Sequence, residues 1–351
     1  MAIVNKPSDY FETKLWAGNG SSQNITGLDF QPDWVWIKSR TDTRKHNVYD
    51  SVRGVQKRIV PNSSVAEDTA SGLTAFGTNG FTVGSETDTN GSGRNFVGWS
   101  WKAGGSASSN SAGSITSSVS ANQDAGFSIV TYTGGGGNAT VGHGLGVAPG
   151  MMIIKNRSAS QNWVVYHQSI GNTKNLYLNN TDATNTTSGW FNNTSPTSTV
   201  FTIGNDGAVS GNGNNLVAYC FAEKQGYSKF GSYTGNGSTD GTFVYTGFKP
   251  AFTLIKRTDS ATGGSWILFD NKRGTNVINP VDVVLAASNN QTEADWGTTF
   301  DCDYLSNGFK WRFNGTAGYN NASGATYIYM AFAENPFVTS TDNGSIPACA
   351  R

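Results

Sequence analysis

The chain has 351 residues, and its 24 lysines and arginines balance 24 aspartates and glutamates, giving a formal net charge of zero. Charged residues make up 14%, aromatics 12%, and glycine fills 44 positions. The aromatic load and zero net charge exclude a disordered chain, and the missing basic excess argues against nucleic acid as a partner. No apolar run reaches the roughly 18 residues a spanning helix needs, so no membrane insertion is expected. The start, Met1-Ala-Ile-Val-Asn-Lys-Pro-Ser, has no signal-peptide core. Three cysteines (Cys220, Cys302, Cys349) cannot all pair, so no disulfide framework is expected.

In chain order, the first predicted strand is Leu15-Trp-Ala, closed by a glycine turn. Phe30-Gln-Pro-Asp-Trp-Val-Trp-Ile-Lys38 follows, then Val48-Tyr-Asp-Ser-Val-Arg-Gly54, Gly80-Phe81-Thr-Val, and Phe96-Val-Gly-Trp-Ser-Trp-Lys. After a Ser/Gly-rich stretch the same phrases return as Thr131-Tyr-Thr-Gly, Val147-Ala-Pro-Gly-Met-Met-Ile-Ile-Lys155, Trp163-Val-Val-Tyr-His-Gln-Ser-Ile-Gly171, Val200-Phe201 and Leu216-Val-Ala-Tyr-Cys-Phe-Ala-Glu223. They return again as Ser232-Tyr-Thr-Gly, Phe248-Lys-Pro-Ala-Phe-Thr-Leu-Ile-Lys256, Ile267-Leu-Phe-Asp-Asn-Lys-Arg-Gly274, Gly308-Phe309 and Tyr327-Ile-Tyr-Met-Ala-Phe-Ala-Glu334. Each unit is roughly a hundred residues, a common domain size.

The closing segments alternate, with Val97, Trp99 and Trp101 on one face and small residues on the other. The Pro-to-Lys strands are apolar on both faces, as strands covered on both sides are. Short strands between glycine turns predict an all-β protein of three tandem β-sandwich domains of jelly-roll type, at 1–103, 124–224 and 225–337. Residues 104–123 read as a flexible tether and 338–351 as a polar tail. A β-propeller is the competing architecture, but its blades of about 40–50 residues are half the size of these units.

The candidate polar constellation is Asp50 with Arg53 and Asp270 with Arg273. It reads as a pair of turn-fixing ion pairs, with a sugar or metal site as the functional alternative. The middle unit lacks both residues. Acid pairs suited to glycoside hydrolysis (Glu67/Asp68, Glu86/Asp88, Glu293/Asp295, Asp301/Asp303) lie in polar loops without recurring between units. His46, His143 and His167 lack zinc spacing, and no nucleophile elbow occurs. No catalytic residue, metal or cofactor is therefore assigned. Trp34, Trp36, Trp99 and Trp101 read as core, Cys220 as a packed inert thiol, and Trp190 and Trp296 as candidates for stacking on a glycan.

Pro32-Asp-Trp-Val-Trp-Ile-Lys-Ser-Arg40, Tyr49-Asp-Ser-Val-Arg-Gly54, Gly98-Trp-Ser-Trp-Lys-Ala-Gly-Gly105 and Ala331-Phe-Ala-Glu-Asn-Pro-Phe337 resemble a family of tandem-repeat proteins. That family is encoded among the structural genes of tailed, often marine, bacteriophages and is described as tail-fibre-like or concanavalin-like. The resemblance spans nearly the whole chain outside the tether and carries no catalytic assignment. It implies a non-enzymatic virion protein, fibre-like or decorating the capsid, with capsid or tail proteins, a homotrimer and host surface glycans as expected partners. A neutral chain without secretion signal or disulfides suits assembly in bacterial cytoplasm. The alternatives are a host-glycan lectin or adhesin and, below it, a capsule depolymerase. The Lys/Arg richness of the first unit (Lys38, Arg40, Arg44, Lys45, Arg53, Lys57, Arg58) suggests that this unit anchors to the particle.

Overall fold

The computed structural model describes residues 3–274, 279–295, 300–315 and 318–338. These residues form several β-sheets and no barrel, with only short helical turns at Pro7–Asp9, Thr87–Asn90 and Gly207–Ser210. Each repeat contributes one large sheet with the same antiparallel order: an opening, a closing, a central and a following strand. In the first module these are Phe11–Ala17, Asn95–Trp101, Trp34–Ser39 and Asn47–Asp50. The second uses Phe127–Thr133, Asn215–Phe221, Met151–Asn156 and Val164–His167. The third uses Ser228–Thr234, Thr326–Pro336, Phe248–Arg257 and Ile267–Asp270.

The outer face of each large sheet packs on a small one. In the first module Val35, Ile37, Tyr49 and Phe96 meet Ile25, Leu73, Phe81 and Val83 of the small sheet. The closing strand must be thin on that side. A Cβ on Gly98 would sit 3.0 Å from the Trp16 ring and 3.2 Å from Phe81. Separate clusters do the same work in the second and third modules.

The inner faces do not form three cores. Trp34, Trp36, Trp99 and Trp101 share a single cluster with Phe127, Ile153, Tyr219 and Phe221 of the second module and with Phe230, Phe252, Met330 and Phe332 of the third. Ring contacts join all three pairs of modules: Trp34 to Tyr219 at 4.8 Å, Trp101 to Phe252 at 5.7 Å, and Phe221 to Phe332 at 6.1 Å. Burying these large faces against each other supplies the apolar area that three sheets of this size could not each cover alone. The expectation of separately cored tandem units is corrected accordingly. Period-two alternation identifies an apolar face but is silent on what covers it.

The tether expectation is also corrected. Within 104–123, Ser108–Asn110 and Ser117–Asn122 form strands, and the latter pairs along its length with Phe127–Thr133. Serine-rich composition reads as flexible, yet main-chain pairing needs few apolar side chains; here Val119 is buried in the core of the second module and Ile115 and Ala121 pack against it. The tail from residue 339 lies outside the described residues.

Candidate functional site

The polar residues singled out in the sequence converge on the seams between modules. Three sets of bonds repeat around the molecule with a cyclic sense, so each module meets its two neighbours through different surfaces. The first set uses the residue that precedes each following strand. Trp163 Nε1 donates to the Val60 carbonyl at 3.0 Å, Trp266 Nε1 to the Tyr177 carbonyl at 2.8 Å, and His46 Nε2 lies 3.0 Å from the Ala286 carbonyl. The three carbonyls hold equivalent places, each one residue past the residue that bridges to the following strand (Ile59, Leu176 and Leu285). The second module thus grips the first, the third grips the second, and the first grips the third.

The second set runs from the end of each following strand. Asp50 accepts a hydrogen bond from the Tyr219 hydroxyl at 2.6 Å, and Asp270 accepts one from Trp99 Nε1 at 2.9 Å. The middle module carries His167 at this place. The closing-strand position that holds Tyr219 and Trp99 in the other modules is Met330 in the third, which offers no donor, and His167 Nε2 instead sits 3.1 Å from the Tyr329 carbonyl. The missing aspartate is therefore matched by a missing donor across the seam.

The third set is ionic at two seams. Arg53 donates through its backbone N–H and Nε to the Asp50 carboxylate at 2.8 and 2.5 Å, and through Nη1 to Glu67 at 2.9 Å. Arg157 of the second module grips the same Glu67 with two bonds of 2.8 and 2.9 Å. Arg273 repeats this with Asp270 and Glu293, and Arg40 of the first module grips Glu293 at 2.8 and 2.7 Å. At the remaining seam Thr184 and Thr258 replace the glutamate and the crossing arginine. The main-chain bond beneath is kept in all three: Glu67, Glu293 and Thr184 donate to the Arg157, Arg40 and Thr258 carbonyls, each at 2.9 Å.

In both pairs the arginine's backbone N–H also donates to the aspartate, Arg53 to Asp50 at 2.8 Å and Arg273 to Asp270 at 2.9 Å, and both ion pairs are buried. Burial opposes the charge on Arg53, but Asp50, Tyr219 and Glu67 around it outweigh that and raise its pKa. Burial likewise opposes ionisation of Asp270 and Glu67, and their arginines outweigh it and lower both. Burial lowers His167 to about 4 against the opposing pull of the Tyr329 carbonyl, so it is neutral in the fold at neutral pH. Lys38, Lys155 and Lys256, equivalent and buried, bond only carbonyl oxygens through their amines among the described residues. Burial lowers Lys155 to about 8 and Lys256 to about 7. Two of these amines cross a seam, to Ser64 and Thr181.

Several other candidates move. Glu67 and Glu293 are equivalent and held by arginines, which corrects their reading as unrelated loop acids. Of the basic residues expected to anchor the first module, Lys38, Arg40 and Arg53 are engaged inside the molecule and Arg58 pairs with Asp68 at 2.6 Å, while Lys45 and Lys57 are exposed. Trp190 is 8% exposed and packs edge-on against Tyr177 in the second module's core, so it offers no open ring for stacking. Trp296 lies outside the described residues. Cys220 is buried, and burial raises its thiol pKa far above the ordinary value. Among the described residues no group of His, Cys, Asp or Glu side chains is placed to hold a metal ion.

Sequence reasoning missed the Glu67–Arg157 and Glu293–Arg40 grips and the three carbonyl-directed side chains. Aligning the units at their Pro-to-Lys strands brings Arg40, Arg157 and Thr258 into register, and Glu67 with Thr184, but leaves Glu293 displaced by the longer third unit. The middle unit's lost Asp and Arg coincide with Thr184 and Thr258 at the matching positions.

The model of a single family, a domain of unknown function (DUF7483), matches residues 6–336, and the chain belongs to that family. One family unit therefore spans all three modules and the strands that join them. No curated protein matches the chain.

Proposed function

We propose that the chain is a non-enzymatic structural protein of a bacteriophage virion, fibre-like or decorating the capsid, in which three β-sandwich segments act as one rigid body. The observation that carries this reading is the use of the buried polar groups. Asp50, Arg53, His167, Asp270 and Arg273 all spend their bonding capacity on joining modules or fixing turns. Groups satisfied in this way in the interior hold surfaces in register and are shielded from any substrate. The cyclic seams give one chain the three-fold body that a homotrimer of single modules would have, so the partners we propose are other capsid or tail proteins. The phrases that resemble phage structural proteins supply the virion context.

Mass spectrometry of washed particles from the phage that encodes the chain tests this. A stoichiometric amount that stays with the particles is expected. Its presence in the lysate and absence from purified particles would overturn the reading.

A further inference from the structure

Among the described residues the large aromatics exposed to solvent are two, and they sit on one strand. Phe243 is 44% and Tyr245 58% exposed, while Val244 between them enters the third module's core. The strand Phe243–Tyr245 is the edge of a three-stranded small sheet, paired with Gly308–Trp311. Neither ring has a hydrogen-bond or ring-stacking partner among the described residues. Both rest near glycines: a Cβ on Gly308 would lie 3.0 Å from the Phe243 ring, and one on Gly247 would lie 3.6 Å from the Tyr245 hydroxyl. The rings thus lean on bare backbone and leave much of their surface in water.

The other modules show that the fold does not require these rings. Aligned on Ile25, Val141 and Val244, the matching positions are Asn24 and Thr26 in the first module and, in the second, Thr140 and Gly142, the latter buried beneath Asn110. The aromatic pair is therefore an addition to the third module. Its rim is polar: Lys310, directly across from Phe243, pairs at 2.5 Å with Asp240, which is 82% exposed, and Arg312 pairs with Asp303 at 2.5 Å.

Size and charge select the occupant. Two half-exposed rings offer roughly 200 Å² of apolar surface, whereas a stable protein interface takes about 800 Å² from each partner. The patch fits a ligand with one or two ring-sized apolar faces. The exposed Asp240 disfavours phosphate-bearing rings, and the paired donors and acceptors along the rim suit hydroxyl groups. Two outward residues of one strand lie about 7 Å apart, which lets neighbouring rings of an oligomer each find a platform. We propose that the outer face of Phe243–Tyr245 is a carbohydrate site that stacks neutral pyranose rings on the two aromatics, with Lys310 and Asp240 bonding their hydroxyls.

The proposal goes beyond the virion reading and is tested on the isolated full-length chain. The probes are maltoheptaose, cellohexaose, chitohexaose, laminarihexaose and a galactan hexasaccharide, titrated by calorimetry. Saturable binding of at least one probe is expected. Tyr245→Ala should weaken it at least fivefold, and Phe243→Ala with Tyr245→Ala should abolish it, while the melting temperature stays that of the parent. Phe243→Thr with Tyr245→Thr, residues suited to an edge strand, provides a second variant should the alanines disturb the sheet. Absence of binding to every probe overturns the proposal, as does binding that survives both double variants. Sedimentation showing self-association that the double variants remove would assign the patch to a second copy instead and equally overturn it. Sugar binding by a chain absent from particles would uphold this site and reject the virion role; the reverse outcome would do the opposite.

Discussion

The seam between the second and third modules and the two seams that involve the first solve one geometric problem with different chemistry. At the latter two, an aspartate, two arginines and a glutamate are buried together, and a tyrosine hydroxyl or indole N–H completes the aspartate's shell. At the former, a neutral histidine, an isoleucine (Ile170) and two threonines stand at the same places, with the main-chain bonds unchanged. The comparison teaches that the seam geometry comes from the shared apolar core and backbone pairing. The ionic cluster is one of two fillings that this geometry accepts. A buried ion pair often contributes no more than well-packed neutral groups, while removing one member of it is costly.

The largest effect should come from breaking an ionic seam halfway. Asp50→Ala leaves the Arg53 guanidinium buried without its main partner and should cost about 3–5 kcal/mol in denaturant unfolding. Copying the neutral seam into that place, with Asp50→His, Arg53→Ile, Glu67→Thr, Arg157→Thr and Tyr219→Met together, should recover most of that loss. A five-fold variant as unstable as the single one would show that the two fillings are not interchangeable.

Next in size is the pH response of the neutral seam. His167 has its pKa depressed to about 4 in the fold, against about 6.5 when unfolded. The unfolded chain binds the proton first, so stability present above pH 6.5 is lost as the pH falls towards 4, by up to about 3 kcal/mol. His167→Gln should flatten that part of the curve, measured by urea unfolding at each pH. His46 and His143, also depressed by burial, and the lowered carboxyls of Glu67 and Asp270 stay in place in this variant and contribute the remaining slope.

A smaller effect is expected from Tyr219→Phe, which removes the hydroxyl bond to Asp50 without changing ring packing, at about 2 kcal/mol. Smallest of all is the attempt to charge the neutral seam. Thr184→Glu with Thr258→Arg lacks the second arginine and the aspartate, and should change stability by no more than about 1 kcal/mol. A gain well above that would mean that the crossing pair alone organises an ionic seam.

The sequence made the sheets readable because side-chain alternation is local. The face carrying Val97, Trp99 and Trp101 and its counterparts lie inward as the period-two pattern requires. The shared core was not readable, since an apolar face looks the same whether it meets its own module or another. The strand Ser117–Asn122 was hidden by composition, because its bonds are made by backbone groups that every residue carries. Glu67 and Glu293 were hidden by their loops: their partners Arg157 and Arg40 are remote in sequence, and solvated acids look identical until the seam is closed. The exposed pair Phe243 and Tyr245 was overlooked beside the tryptophans, although its alternation with Val244 was visible.

The central claim is that three modules melt as one body. Differential scanning calorimetry of the full chain tests it most directly. The account predicts a single transition whose calorimetric and van't Hoff enthalpies agree. Resolved transitions, with residues 1–103 melting apart from the rest, would contradict it.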